Sequence, residues 1–188
     1  MLPDQVYSPA EDSFLLLRAA LREVRPTDRV LEVGTGSGYV AAGLLGRAAA
    51  VVATDINPHA VECARARGVA AVRTDLFSGL FGPFDLILFN PPYLPTAPDE
   101  RISDWLEYAL DGGPTGRATI ERFVADAGRV LSPFGRILLL VSSLTGPDEV
   151  RELFARAGFV SFVVDEEALE GERLYVLRAM RDLCRMGA

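Results

Sequence analysis

Asn90-Pro91-Pro92-Tyr93 ends the apolar run Phe84-Asp85-Leu86-Ile87-Leu88-Phe89. Such a run, bounded by turn formers, predicts a buried strand that empties directly into a loop. Loops at strand ends are where α/β proteins keep their chemistry. The tetrapeptide sets side by side a primary amide, two prolines that offer carbonyls and no N–H, and an aromatic ring. It is an acceptor surface with a stacking face, suited to a planar group bearing NH2. A loop merely stiffened by prolines would have the same composition, so Asn90, Pro91 and Tyr93 become catalytic candidates only through the residues around them.

Those residues stand upstream. Gly34, Gly36 and Gly38 alternate directly after an apolar strand that carries Glu32. The dinucleotide fingerprint G-x-G-x-x-G would need glycine at position 39, which is Tyr39, so a dehydrogenase has the wrong spacing. A pyrophosphate would also be repelled by Glu32, whereas a sulfonium cofactor with an amino-acid tail finds there a partner for its positive groups. The charges argue for S-adenosylmethionine. Asp55 ends the next strand, where a carboxylate accepts both ribose hydroxyls. Asp75 ends the third, placed to accept from an adenine amino group while Leu76 packs on the ring. Either aspartate alone reads as a helix cap or turn former; three acids ending successive strands beside a glycine loop point to a site.

The elements that hold these residues follow from periodicity. Ser8-Pro9-Ala10-Glu11 reads as a capping box that opens a helix over 9–24, with Phe14, Leu17, Leu21 and Val24 at helical spacing. Strands are expected at 29–33, 50–54, 69–73, 84–89, 136–142, 159–164 and 174–179. Helices are expected at 40–45, 57–68, 120–131 and 147–157. This alternation specifies an α/β fold, a seven-stranded, mostly parallel sheet with helices on both faces. An acidic turn alone joins the last two strands, which therefore form an antiparallel C-terminal hairpin at one edge. The loops after the first four strands then share one side of the sheet, where Glu32, the glycine loop, Asp55, Asp75 and Asn90 converge. Residues 91–116 form a long irregular insertion with one helical turn around Trp105 and Tyr108, and insertions of this length usually serve function.

Composition narrows the field. With 188 residues, 49% of them hydrophobic, the chain suits one domain: an N-terminal helix at 9–24, a core at 29–179 and a tail at 180–188. Nineteen basic residues, all arginine, against 26 acids give a net charge of -7, a poor balance for nucleic-acid binding. Arg173, Arg178, Arg181 and Arg185 alternate with Glu170, Glu172 and Asp182 as on a solvated face. Cys63 and Cys184 lack zinc-ligand spacing, so neither a structural metal nor a disulfide is expected. No signal peptide or membrane-length apolar run is read, which suits a cytoplasmic protein with no membrane partner. His59, behind Asn57-Pro58, is expected at the surface.

Glu32-Val33-Gly34-Thr35-Gly36-Ser37-Gly38, Asp55, Asp75-Leu76 and Asn90-Pro91-Pro92-Tyr93 together resemble the motifs of class I methyltransferases that modify amino groups on planar nitrogen. Val6-Tyr7-Ser8-Pro9-Ala10-Glu11-Asp12-Ser13-Phe14-Leu15-Leu16-Leu17 resembles, more narrowly, the opening of the short archaeal and eukaryotic HemK-like release-factor glutamine methyltransferases. The resemblance runs from Val6 to about Arg178. It implies the Rossmann-like class I methyltransferase fold and contact of Ser13 with the cofactor. It also implies, as substrate, the glutamine in the Gly-Gly-Gln loop of a class I release factor, and a small zinc-binding activator subunit pairing at the sheet edge near Val69 and Val72. An amide nitrogen is a poor nucleophile, and Asn90 Oδ1 with the Pro91 carbonyl would hold its two N–H bonds and favour a pyramidal geometry. The same acceptors suit the exocyclic amine of adenine or guanine. DNA or RNA amino-methylation therefore stays open, as do lysine methylation and a cofactor-binding scaffold without turnover.

Overall fold

Consecutive apolar positions at 86–89 and 137–141 can be satisfied only in strands covered on both faces. In the computed structural model, which describes residues 2–96 and 104–184, both runs lie at the centre of a sheet. The described residues form seven strands: β1 (Arg29–Val33), β2 (Ala50–Asp55), β3 (Ala70–Arg73), β4 (Phe84–Phe89), β5 (Leu131–Ser142), β6 (Phe159–Ala168) and β7 (Arg173–Arg181). Their order is β3-β2-β1-β4-β5-β7-β6. The first five pair in parallel, and β7 runs antiparallel to both of its neighbours.

Alternation along each strand sorts side chains between two cores. Leu86 and Leu88 of β4, with Leu138 and Leu140 of β5, face the helices α1 (Glu11–Glu23), α2 (Tyr39–Gly43) and α3 (Pro58–Ala66). Ile87 and Phe89, with Ile137, Leu139 and Val141, meet α5 (Ala118–Val130) and α6 (Pro147–Arg156) on the opposite face. Each such side chain, fully removed from water, contributes about 1.5–3 kcal/mol. A short helix, α4 (Trp105–Tyr108), precedes α5. No helix among the described residues is long and apolar enough to cross a membrane.

The N-terminal helix departs from its sequence reading. Its N-cap is Ala10 and no side chain caps it, so Ser8 does not form a capping box. The buried face is Asp12, Leu15, Leu16, Ala19 and Ala20, while Phe14 and Leu21 are exposed. Of the four apolar residues expected to form the stripe, Leu17 and Val24 pack against the core that α1 covers, while the neighbouring stripe, which carries an aspartate, is the one fully buried. Strands β6 and β7 also run past their expected ends. Asp165, Glu166 and Glu167 pair in the ladder instead of turning, and Arg18 and Arg22 of α1 reach across to Asp165 and Glu167. Arg173 and Arg178 are bound to Glu166 and Glu23, and Arg185 lies outside the described residues. His59 is half-buried in the first turn of α3, where its N–H donates to the Asn57 cap.

Candidate active site

The carboxyl ends of β1 to β4 open on one cleft. Its lining includes Glu32, Gly34, Gly36 and Asp55 on one wall and Asn90, Pro91 and Tyr93 on the other. Ser13, Asp75 and Leu76 complete the selected residues that reach it, and Gly38 does not line it.

The first wall begins with Glu32, which strand alternation places on the Val30 face, beneath α2. Its carboxyl is buried and accepts from Thr35 Oγ1 at 2.5 Å and from the Ala41 N–H at 3.0 Å. It thereby ties the glycine loop to the opening turn of α2, whose N–H groups lack helical partners. Burial raises its pKa to about 7; the bonds from Thr35 and Ala41 lower it and the nearby Asp55 charge raises it. Asp55 accepts from the Gly36 N–H and the Asn57 N–H, each at 2.8 Å. Burial holds the Asp55 carboxyl above its ordinary range despite those bonds. Gly38 serves packing: its φ is 75°, and a Cβ there would stand 2.6 Å from Ala64 Cα, so only glycine lets the loop lie on α3.

At the end of β3, Asp75 accepts from Arg122 at 2.6 Å. Both side chains are well exposed, so the pair is worth about 1 kcal/mol or less and yields readily to a ligand. Leu76 has φ 47°, a left-handed conformation that costs a leucine roughly 1–2 kcal/mol. Strain of this kind gathers where a side chain must be aimed, here along the cleft.

On the second wall, Asn90 donates from Nδ2 to Asp12 Oδ2 at 3.0 Å. Its Oδ1 is buried and no described residue donates to it. Such an orphaned acceptor costs about 1–3 kcal/mol until something supplies a donor. Pro91 is buried and Tyr93 half-buried. The Tyr93 hydroxyl is pushed far up by burial and by the charges of Asp12, Glu172 and Glu11, so it keeps its proton. The insertion fastens this wall from behind. The Leu94 N–H donates to the Leu110 carbonyl at 3.1 Å and the Gly112 N–H to the Leu94 carbonyl at 2.9 Å. A Cβ on Gly116 would stand 2.5 Å from the Tyr93 carbonyl oxygen, so the glycine permits the contact that backs the tetrapeptide. Of the insertion, 97–103 lie outside the described residues.

Asp12, Glu32, Asp55 and Asp75 line the cleft against Arg122, a surplus of carboxyl groups that favours a cationic occupant. A family model described as the methyltransferase small domain matches residues 10–102. A putative protein N5-glutamine methyltransferase of Methanocaldococcus jannaschii is 39% identical, across 96% of this chain and 94% of that protein. The chain belongs to the HemK-like methyltransferase family. Methyltransferase HEMK2 of Mus musculus is likewise 39% identical, across 92% of this chain and 88% of its own. Among solved structures, a chain of the E. cuniculi Mtq2-Trm112 complex, responsible for methylation of the translation termination factor eRF1, superposes with a TM-score of 0.79. It is 33% identical and covers 94% of this chain and 99% of that one. The sheet order and antiparallel C-terminal strands are thus those of the Rossmann-like class I methyltransferase fold.

Within this HemK-like methyltransferase the structure gives a role to Asp12 and Tyr7, which motif reading left without one, and ties Ser13 to them. Asp12 holds Asn90, Tyr7 donates to Asp12 Oδ2 at 3.1 Å, and Ser13 donates to Asp12 Oδ1 from both its N–H and its hydroxyl. A signal for Asp12 was present: it stands 3, 4 and 7 residues before Leu15, Leu16 and Ala19, a carboxylate on an apolar stripe. Arg122 and Trp105 also line the cleft, and no local sequence pattern marks them, because each arrives from an element distant in the chain.

Proposed function

We propose that this protein transfers a methyl group from S-adenosylmethionine to the side-chain amide nitrogen of the glutamine in the Gly-Gly-Gln motif of a class I release factor. The observation that carries the reading is the buried Oδ1 of Asn90, an acceptor without a donor on the wall of a carboxylate-rich cleft. The names of the M. jannaschii relative and the Mtq2-Trm112 complex support it.

The cleft fits the cofactor by charge. When bound, S-adenosylmethionine supplies an electrophilic methyl group on a sulfonium. Glu32 and Asp55 would hold its positive and hydroxyl groups, with Ser13, Gly34 and Gly36 beside them and Gly38 keeping the loop on α3. Asp75 would accept from the adenine amine, leaving Arg122, while Leu76 packs on the ring. Asn90 would also border the cofactor. Asn90 Oδ1 and the Pro91 carbonyl would accept the two N–H bonds of the substrate amide, and Tyr93 would stack on its plane. Holding the nitrogen in line and stabilising the charge that develops on it are the protein's contributions. The nitrogen becomes acidic as it is alkylated, so no strong base is required.

A small zinc-binding activator pairing along β3 completes the proposal. That strand has four residues, forms one edge of the sheet and leaves Val72 45% exposed. An open edge of this kind accepts a strand from another chain. A substrate of translation termination places the work in the cytoplasm. Incubation with tritiated S-adenosylmethionine and, in separate reactions, release factor, RNA and DNA tests the reading. Label is expected in the release factor, lost when its Gly-Gly-Gln glutamine is replaced; label confined to nucleic acid overturns it in favour of a nucleobase amino-methyltransferase.

A further inference from the structure

We propose that Asp12 is a positioning residue for the transfer, fixing the direction of the Asn90 carboxamide and polarising it toward the cleft. The inference rests on the reading of Asn90 as the acceptor of the substrate nitrogen. A carboxamide can turn over and exchange its oxygen and NH2, and only its surroundings choose between the two orientations. Asp12 is 4% exposed and its carboxylate can only accept. The Asn90 NH2 must therefore face Asp12, at 3.0 Å, and Oδ1 must face away from it, as a donorless acceptor.

Asp12 is itself held. Tyr7 Oη donates to the same Oδ2, while the Ser13 N–H and hydroxyl donate to Oδ1. Burial and the Asp12 charge push the Tyr7 hydroxyl far above its ordinary range, so Tyr7 stays a donor. The carboxylate thus has its lone pairs engaged from the helix and the N-terminal segment and one direction left, toward Asn90. A negative charge beside the NH2 end of a conjugated amide draws its N–H dipoles and moves electron density onto Oδ1, making it a stronger acceptor. As positive charge develops on the substrate nitrogen, that strengthened dipole stabilises it more than it stabilised the neutral amide, which is what accelerates a step. The alternative is that Asp12 only seats the first turn of α1, in which case its charge matters for folding and for nothing beyond.

Asp12→Asn separates the two, since it keeps size and an oxygen for the Asn90 NH2 but removes the charge. With release factor and S-adenosylmethionine, kcat is expected to fall about tenfold, less than the hundredfold or more of losing a direct contact. KM should stay within about twofold, and the rise in cofactor Kd from losing one of the cleft's carboxylates should stay well below the fall in kcat. A second readout needs no turnover. Gln5, Asn57 and Asn90 are the carboxamide side chains of the chain, so their NH2 pairs are resolved in a 15N-correlated spectrum, and Gln5→Glu and Asn57→Ser, by identifying two of the three, leave the Asn90 pair assigned. The Asn90 pair is expected to shift in Asp12→Asn and, by less, in Tyr7→Phe. An unchanged kcat, a kcat loss matched by loss of cofactor affinity, or an unmoved Asn90 pair overturns the inference. If Asp12→Asn does not fold, Tyr7→Phe decides by the same measures. Should the wild-type protein leave release factor unlabelled, the proposed function fails, while the Asn90 resonance still decides the role of Asp12.

Discussion

The two walls of the cleft treat polar atoms in opposite ways. On the glycine-loop wall, Glu32 and Asp55 each accept two hydrogen bonds from the protein itself, and the loop is pressed onto α3 through Gly38. On the tetrapeptide wall, Asn90 is anchored by its nitrogen and its oxygen is buried without a donor. One wall is finished by folding; the other is finished by a ligand. Rigidity therefore belongs to the side proposed to seat the cofactor, and unspent hydrogen-bonding capacity to the side proposed to meet the substrate.

Substitutions should divide along the same line. The largest effect is expected for Asn90→Ala, with kcat reduced about 10²–10³-fold and the cofactor Kd raised far less, because the contact proposed for the transition state is lost while the first wall stays intact. Calorimetric titration beside single-turnover kinetics measures both; parallel losses would erase the distinction between the walls. Next comes Gly38→Val, which forces a left-handed β-branched residue against Ala64. We expect about 2–4 kcal/mol of lost stability in chemical denaturation, with cofactor affinity falling too. A variant as stable as the parent would show the loop to be loosely seated.

The smallest effect is a pH dependence. The buried Glu32 carboxyl has its pKa raised to about 7 by burial first of all. In the folded, ligand-free protein it therefore takes up a proton that the unfolded chain has released. Its contribution to stability falls as pH rises from the ordinary carboxylate range through about 7, and is level above that. A cation in the cleft favours the ionised form, so affinity for S-adenosylmethionine is expected to rise with pH up to about 7, by at most about tenfold per pH unit, and then flatten. Glu32→Gln should remove the part of the slope that reaches about pH 7 in calorimetric titrations, leaving only what the raised Asp55 carboxyl contributes; a slope to about pH 7 that survives it assigns that titration elsewhere.

What the sequence made legible was the part of the site set by strand ends. Glu32, Gly34, Asp55, Asp75 and Asn90 each close or follow a strand, and a parallel sheet brings such positions to one side whatever lies between them. The missing part depends on packing between distant segments. Helix α1 offered two stripes, and only the presence of β5 and Asn90 selects the one with Asp12. Nothing local marks Gly112 and Gly116, because a Cβ on Gly116 would meet the Tyr93 carbonyl and one on Gly112 the backbone of Gly116. The three glycines of the first loop were grouped by alternation, yet Gly38 faces a helix and the other two face the cleft, a division that spacing does not carry.

The place of β7 sets the order in which the chain can finish folding. It lies between β5 and β6, antiparallel to both, so β6 reaches the sheet only through the strand synthesised after it. Until residues 173–181 emerge, β5 is a bare edge with Leu138 and Leu140 awaiting cover from that side. The nascent chain thus holds a nearly complete nucleotide-type half while its other half is an adhesive ledge. Any shortening that removes β7 leaves β6 without a neighbour in the sheet.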